Sequence, residues 1–308
     1  MKIAIMGPVG VGGYFGARLA AAGNDVTFVA RGAHLEAMKA KGLRLDSEIG
    51  DLVINPAKVV ADAREIPAAD AIIFAVKMRD TETAAESLAP LVGKGATIFT
   101  FQNGVESAER IGKIVGAGNV VEGAARIASN IPLPGVIKQI GKFATLEFGE
   151  RDGQPSPRTT AFHAACVAAG ITASLSDNIS RTLWLKFAML APVAGMTALT
   201  HGPLGPIRST PATYALLKSA VEETVAVGVA LKTGLEPDDA AKCIKLIDGL
   251  PNAMMASMCH DLLAGQPIEV AGLSGAVARL ATAHGTTAPT HAFIAAALAP
   301  FTDGKPKV

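Results

Sequence analysis

Apolar and polar positions follow two different rhythms along this chain. Through the first half, short runs rich in β-branched and aromatic residues alternate with longer stretches of helical period. Lys2–Met6, Asp25–Ala30, Ala71–Val76 and Ala96–Phe101 read as strands, with helices over Tyr14–Ala22, His34–Lys41 and Thr81–Leu91 between them. Strands that alternate with helices predict parallel βαβ units. Ile72-Ile73-Phe74-Ala75-Val76 and Ala96-Thr97-Ile98-Phe99-Thr100 are continuously apolar or β-branched, as strands covered on both faces are. Val136–Gly149 predicts further strand pairing around Gly141, and a strand over Ile171–Leu175 closes this half.

From about Asp177 the rhythm becomes helical. Helices are expected over Asn178–Leu190, Thr210–Thr233, Pro237–Lys245, Ala253–Ala264, Glu269–His284 and Thr290–Leu298, with hardly a strand signal among them. The pattern therefore predicts an α/β N-terminal domain of Rossmann type with a parallel sheet, residues 1–177, followed by an all-α domain, residues 178–308. No internal repeat and no low-complexity linker interrupts the chain. Thr302–Val308 reads as a short frayed tail.

Composition narrows the function classes. With 308 residues, 50% of them hydrophobic and 18% charged, the chain can bury a sizeable core and does not read as disordered. A net charge of +1 offers no global field to attract nucleic acid. The three cysteines, Cys166, Cys243 and Cys259, are far apart and in no metal or redox spacing, so they read as reduced, packed residues and no metal is expected. Glycines break the apolar N-terminal run at once and no cleavage site follows. No stretch reaches the roughly 18 apolar residues of a membrane span. The expectation is a cytoplasmic protein without a membrane partner.

Ile5-Met6-Gly7-Pro8-Val9-Gly10-Val11-Gly12-Gly13-Tyr14 follows a strand and opens a helix. At such a turn, backbone N–H groups at a helix N-terminus meet a dinucleotide pyrophosphate. The usual pattern is G-x-G-x-x-G. Gly7 and Gly12 hold its first and third places, but Val9 holds the second and Gly10 comes one residue late. Either Gly10 takes over through a shifted turn or the pyrophosphate sits differently; the bland alternative is a tight turn with no ligand. The second strand ends in Ala30-Arg31-Gly32, without the carboxylate that binds the ribose 2′-OH of NAD. Arg31 suits the 2′-phosphate of NADP(H) instead, through bidentate charge-assisted bonds, unless it is simply a solvated surface arginine.

In the helical half, Thr182–Leu190 is apolar almost all round and is interrupted by Lys186. A lysine there either snorkels its head to the surface or faces an interdomain cleft, partly desolvated. In the second case it can protonate the alkoxide formed as hydride reaches a keto carbon.

Taken in order, the pieces resemble the ketopantoate reductase (2-dehydropantoate 2-reductase) family over nearly the whole chain. They are the N-terminal Met-Lys-Ile-Ala-Ile-Met-Gly with Gly12-Gly13-Tyr14, then Phe28–Gly32, Ala75-Val76-Lys77, Phe101–Glu106 and Phe148-Gly149-Glu150. Leu183–Phe187, Thr197-Ala198-Leu199, Ser257-Met258, Asp261-Leu262 and Glu269 complete the series. The resemblance implies NADP(H) as cofactor, with Arg31 at the 2′-phosphate, and Lys77 and Asn103 at cofactor and substrate. It implies Lys186 as general acid, Ser257 as a substrate-binding serine and Glu269 near the nicotinamide ribose. The implied reaction converts a small 2-keto acid to the 2-hydroxy acid, 2-dehydropantoate to pantoate for pantothenate synthesis. A homodimer is compatible with it.

The chain departs from that family at the substrate amides. Family asparagines four and eight residues after the lysine, the proline following the second, a further asparagine, and the one three residues before the serine are matched here by Leu190, Ala194, Gly195, Leu204 and Met254. A more apolar substrate site follows, and hydrogen-bonded sites discriminate far better than apolar ones. Two alternatives therefore stand beside ketopantoate reduction: a paralogue acting on a more apolar 2-keto acid, and a non-catalytic NADP-binding regulator, which would have no use for Lys186.

Overall fold

The computed structural model describes residues 1–306; the end of the expected frayed tail, Lys307 and Val308, lies outside the described residues. The chain divides into two compact units: Met1–Gln102 with Ser107–Ile179, and Asn103–Glu106 with the chain from Ser180 onward.

The first unit is a single ten-stranded sheet with helices. Its strands are β1 (Lys2–Met6), β2 (Asp25–Val29), β3 (Leu43–Asp46), β4 (Leu52–Ile54), β5 (Lys58–Val60), β6 (Ala71–Phe74), β7 (Thr97–Thr100), β8 (Val120–Leu133), β9 (Val136–Gly149) and β10 (Thr172–Leu175). Its helices are α1 (Gly10–Ala21), α2 (Gly32–Lys41), α3 (Thr81–Val92), α4 (Ser107–Val115) and α5 (Pro157–Ala168). The strand order is β4-β3-β9-β8-β7-β6-β1-β2-β5, with β10 also on β9. Among the described residues, only β3–β4 and β8–β9 pair antiparallel.

Side-chain alternation builds a core on each face of this sheet. Ile3, Ile5, Ile73, Phe99 and Phe101 point to the face covered by Phe15 and Leu19 of α1 and Phe162 of α5. Ala4, Ile72, Phe74 and Ile98 point to the other, against Leu88 of α3 and Ile111 of α4. Phe99 stacks 4.2 Å from Phe162 and 5.4 Å from Phe148, centroid to centroid, so truncating it removes about 3–5 kcal/mol.

The β8–β9 hairpin corrects one expectation. Strand pairing does not fold around Gly141. The hairpin turns at Pro134-Gly135, where Gly135 has φ +79° and Leu133 pairs with Val136. Gly141 marks a register shift instead: Ile127 faces Ala144 while Ala128 faces Ile140. Its N–H is taken by Glu48 Oε1 at 2.7 Å.

The second unit is helical: α6 (Ile179–Leu199), α7 (Leu204–Ser209), α8 (Pro211–Ala230), α9 (Asp239–Asp248), α10 (Ser257–Leu263), α11 (Ser274–Ala283) and α12 (Pro289–Leu298). Helix α6 runs on through Pro192, nine residues beyond the Leu190 at which the sequence pattern ends it. It is long and apolar enough to cross a membrane, but 67% of its apolar window is buried inside the fold. Gly228 lets α8 approach Trp184 of α6, where an added Cβ would lie 3.0 Å from the indole. Asp239, 1% exposed, receives Arg181 at 2.8 Å and Lys242 at 2.9 Å. The Arg181 hydrogen bond holds its carboxyl well below the ordinary value against the cost of burial. The expected fraying at Thr302 is also corrected: its carbonyl accepts from Ile268 N–H at 3.2 Å, and Lys305 N–H reaches Gly265 O at 3.1 Å. All three cysteines are free and buried, and burial pushes the Cys166 thiol up to about 12.

Candidate functional site

In the first unit the glycine-rich turn joins β1 to α1, which begins at Gly10, four residues earlier than the apolar rhythm places it. Each glycine has its own steric reason. Gly7 adopts φ +87°, and a Cβ there would sit 2.9 Å from the Val76 backbone nitrogen. On Gly10, a Cβ would lie 2.6 Å from Ser129 Oγ and 2.9 Å from the Ser129 carbonyl oxygen of β8. At Gly12 it would strike the Gly7 carbonyl. Val9, the departure from the motif, is the N-cap with φ −87° and ψ −162°, an extended conformation that needs no glycine. Gly10 is thus required by the approach of β8 rather than by a missing second glycine. The N-cap Val9 offers no side-chain cap and no acidic residue stands in the first turn of α1, a helix start suited to a pyrophosphate.

His34, near the start of α2, fastens this turn. Its Nε2 lies 2.9 Å from the Pro8 carbonyl, and its Nδ1 accepts the Gly135 N–H at 3.0 Å. Accepting at Nδ1 places the proton on Nε2, the neutral tautomer that donates to Pro8. Burial lowers the imidazole pKa, with the Pro8 bond opposing.

Arg31 is the N-cap residue of α2, its side chain largely exposed, and its Nη2 lies 2.6 Å from Asp80 Oδ2. Lys77 leaves β6 half-buried, as the N-cap of a short 3-10 turn over Met78–Asp80. Gln102, two residues past β7 and buried, fixes the carbonyl just before Lys77: Nε2 donates to Val76 O at 2.9 Å and lies 3.0 Å from Thr81 Oγ1.

In the second unit Lys186 and Asn103, 83 residues apart, are brought together: Lys186 Nζ donates to Asn103 Oδ1 at 3.1 Å. Asn103 stands in a turn whose next residue, Gly104, takes φ +84°. The same four-residue segment is pinned at its far end by Arg279 Nη2 on Glu106 Oε2 at 2.9 Å. Arg279 also donates to Ala271 O at 2.9 Å, just beyond Glu269, the half-buried N-cap of a 3-10 turn.

Lys186, Leu190, Ala194 and Thr197 fall at i, i+4, i+8 and i+11, one face of α6. Buried Thr197 ties α10 to that face. Its Oγ1 accepts from Ala256 N–H at 3.4 Å and its carbonyl from Cys259 Sγ at 3.2 Å. Ser257, exposed, opens α10 directly after Ala256. Among the positions lacking the family amides, Ala194 and Leu204 are buried, Leu190 is half-buried and Met254 is 37% exposed. Leu204 N–H donates to Met254 O at 3.0 Å, which joins two of them. The neighbouring Asn252 has its Oδ1 taken by Arg208.

The partners His34, Asp80 and Arg279 carried no local sequence signal. Each acts on residues tens of positions away, and only the tertiary fold brings them into play.

Two family models match the chain in tandem, ketopantoate reductase PanE/ApbA over residues 3–153 and its C-terminal counterpart over 178–301. The chain belongs to the ketopantoate reductase family. The 2-dehydropantoate 2-reductase of Mesorhizobium japonicum is 33% identical over 302 residues, covering 91% of each chain. The PanE/ApbA family ketopantoate reductase of Ralstonia eutropha superposes with a TM-score of 0.87 at 30% identity, over 96% of each chain. The 2-dehydropantoate 2-reductase of Geobacter metallireducens gives 0.90 at 26%, over 97% of this chain and 99% of its own. Ketopantoate reductase membership makes this chain an NADP-dependent oxidoreductase acting on CH–OH groups, of the class that reduces 2-keto acids.

Proposed function

We propose that this enzyme reduces 2-dehydropantoate to pantoate with NADPH, and that Lys186 is the general acid. The observation that carries the reading is the Lys186–Asn103 hydrogen bond at 3.1 Å. A lysine that only snorkelled from an apolar helix would have no need of an amide fixed by its own turn and by the Arg279–Glu106 pair.

The residues present fit a dinucleotide. The uncapped N-terminus of α1 receives the pyrophosphate over Gly7, Gly10 and Gly12. Arg31 meets the 2′-phosphate, Lys77 stands three residues past β6 for the cofactor, and Glu269 serves the nicotinamide ribose. Bound NADPH supplies the hydride. Everything else is asked of the chain. Asn103 orients the Lys186 ammonium, Lys186 delivers a proton to the carbonyl oxygen as it gains charge, and Ser257 takes part in holding the substrate. Arg31 in place of a carboxylate predicts at least tenfold tighter binding of NADPH than NADH, about 1.4 kcal/mol, by isothermal titration.

One observation favours a second reading, a 2-keto acid with an apolar side chain. Leu190, Ala194, Leu204 and Met254 bring no amide to these four positions. A buried hydroxyl without a partner costs roughly 1–3 kcal/mol. Comparing kcat/KM for ketopantoate and 2-ketoisovalerate with NADPH decides between them. A ratio near unity, or in favour of 2-ketoisovalerate, supports the apolar substrate; a thousandfold preference for ketopantoate shows that other groups recognise its hydroxyl.

A further inference from the structure

The guanidinium assigned above to the 2′-phosphate already carries a carboxylate. Arg31 Nη2 and Asp80 Oδ2 lie 2.6 Å apart, across 49 residues of sequence. Asp80 is also the N-cap residue of α3, where an aspartate ordinarily accepts an N–H of the first helical turn. It makes no such bond, and its carboxylate is turned to Arg31 instead. Arg79 approaches the other carboxylate oxygen at 4.0 Å.

The sheet explains the meeting. Strand β1 has β2 on one side and β6 on the other, both parallel to it. The segment after β2, with Arg31, and the segment after β6, ending at Asp80, therefore leave the same edge on either side of the glycine-rich turn. The ion pair spans the carboxyl end of β1, where a dinucleotide's adenosine half has to lie.

We propose that Asp80 is a specificity-determining residue for the dinucleotide: it holds Arg31 when no 2′-phosphate is present and competes with that phosphate when one arrives. The inference rests on the reading that Arg31 meets the 2′-phosphate. Its consequence is a preference for NADPH smaller than Arg31 alone would give. Two effects act together. Arg31, 77% exposed, must exchange one anion for another, and an exposed pair of this kind moves a binding constant by up to about fivefold. A carboxylate left beside a phosphate of about −1.5 to −2 charge then adds repulsion. Toward a cofactor without that phosphate, Asp80 acts in the opposite sense: its oxygen can accept the ribose 2′-OH, the part usually played by the acidic residue that the end of β2 lacks.

The test is isothermal titration of the purified enzyme with 2′,5′-ADP and with 5′-AMP, for wild type, Asp80→Asn, Asp80→Ala, Arg31→Ala and the Arg31→Ala/Asp80→Asn pair. The inference expects both Asp80 variants to bind 2′,5′-ADP about three- to tenfold more tightly, with 5′-AMP unchanged or weaker. It expects Arg31→Ala to weaken 2′,5′-ADP, and the Asp80→Asn gain to vanish in the double variant. If Arg31→Ala weakens 2′,5′-ADP while neither Asp80 variant tightens it, the competition is refuted and the role of Arg31 stands. A gain that survives without Arg31 also refutes it. If Arg31→Ala leaves 2′,5′-ADP unaffected, the Arg31 reading fails, and this inference with it.

Discussion

Replacing Gly10 with alanine tests the physical account of the dinucleotide turn, because two opposing effects can be weighed from the geometry. Gly10 is the first residue of α1, and its φ is not in the left-handed region, so the backbone itself accepts alanine. A glycine-to-alanine exchange in a helix gains roughly 0.5–1 kcal/mol, and less at its first position. Against this, the new methyl would lie 2.6 Å from Ser129 Oγ, 2.9 Å from the Ser129 carbonyl oxygen and 3.2 Å from its carbonyl carbon. Two of those atoms are backbone of a paired strand and cannot rotate away. Overpacking of this kind costs about 1–3 kcal/mol. The clash wins, and the expected net loss is about 1–2 kcal/mol, equivalent to roughly 0.5–1 M in the urea midpoint at a slope of about 2 kcal/mol/M. NADPH affinity should fall as well, since relief requires the start of α1 to move. Ser129→Ala added to Gly10→Ala removes the Oγ contact but not the carbonyl contact, so only part of the loss should return. The measurements are urea unfolding by circular dichroism and NADPH titration by fluorescence. A Gly10→Ala enzyme with wild-type midpoint and wild-type affinity would refute the close approach of β8 and the explanation of Gly10 drawn from it.

Further outcomes follow from the same geometry. Asn103→Ala removes the acceptor of a hydrogen bond from a charged group, worth about 1.5–3 kcal/mol, and should lower kcat/KM in NADPH oxidation roughly tenfold to a hundredfold, with Asn103→Asp retaining more. Burial lowers the His34 pKa, so below the ordinary value near 6.5 the unfolded chain binds a proton that the fold resists. Stability from His34 is therefore present above that value and is lost as pH falls through the lowered folded one. His34→Gln, which can keep both hydrogen bonds without titrating, should lose less stability than wild type between pH 7.5 and 5.5 in urea unfolding; equal losses would remove His34 from the account. Asp239→Asn leaves Arg181 facing a neutral amide at a site 1% exposed and should cost about 2–3 kcal/mol in urea unfolding at neutral pH, with no change in NADPH affinity.

Much of this was legible in the sequence, for local reasons. Strands β6 and β7 are buried throughout and read as continuously apolar or β-branched runs, and β1 does so after its exposed Lys2. Lys186 stands out because a charge within an apolar helix needs a reason. Strand β8 was not legible: Arg126, Ser129 and Asn130 interrupt its apolar rhythm, and its place is set by pairing with β9 rather than by its own residues. The turn that makes the hairpin did have a signal, the Pro134-Gly135 dipeptide, with proline ahead of a glycine at positive φ. Gly141 competes with that signal, because a glycine inside a strand marks a bulge as readily as a turn. Val9 breaks the glycine motif by residue type, yet as an N-cap with negative φ it requires no glycine. The partners of the site residues, Asp80 on Arg31 and Arg279 on Glu106, are separated by 49 and 173 residues and belong to the fold alone.

The central claim, proton delivery by Lys186, is tested most directly by NADPH oxidation with ketopantoate and 2-ketoisovalerate in wild type, Lys186→Ala and Lys186→Arg, each checked for folding by circular dichroism and for NADPH binding by fluorescence titration. Arginine keeps the charge but does not release a proton in this pH range, which separates electrostatic help from acid catalysis. The account predicts that both variants bind NADPH nearly as wild type does and turn over roughly 10²–10⁴ times more slowly. A folded Lys186→Ala enzyme with near-wild-type turnover on its better substrate would contradict it.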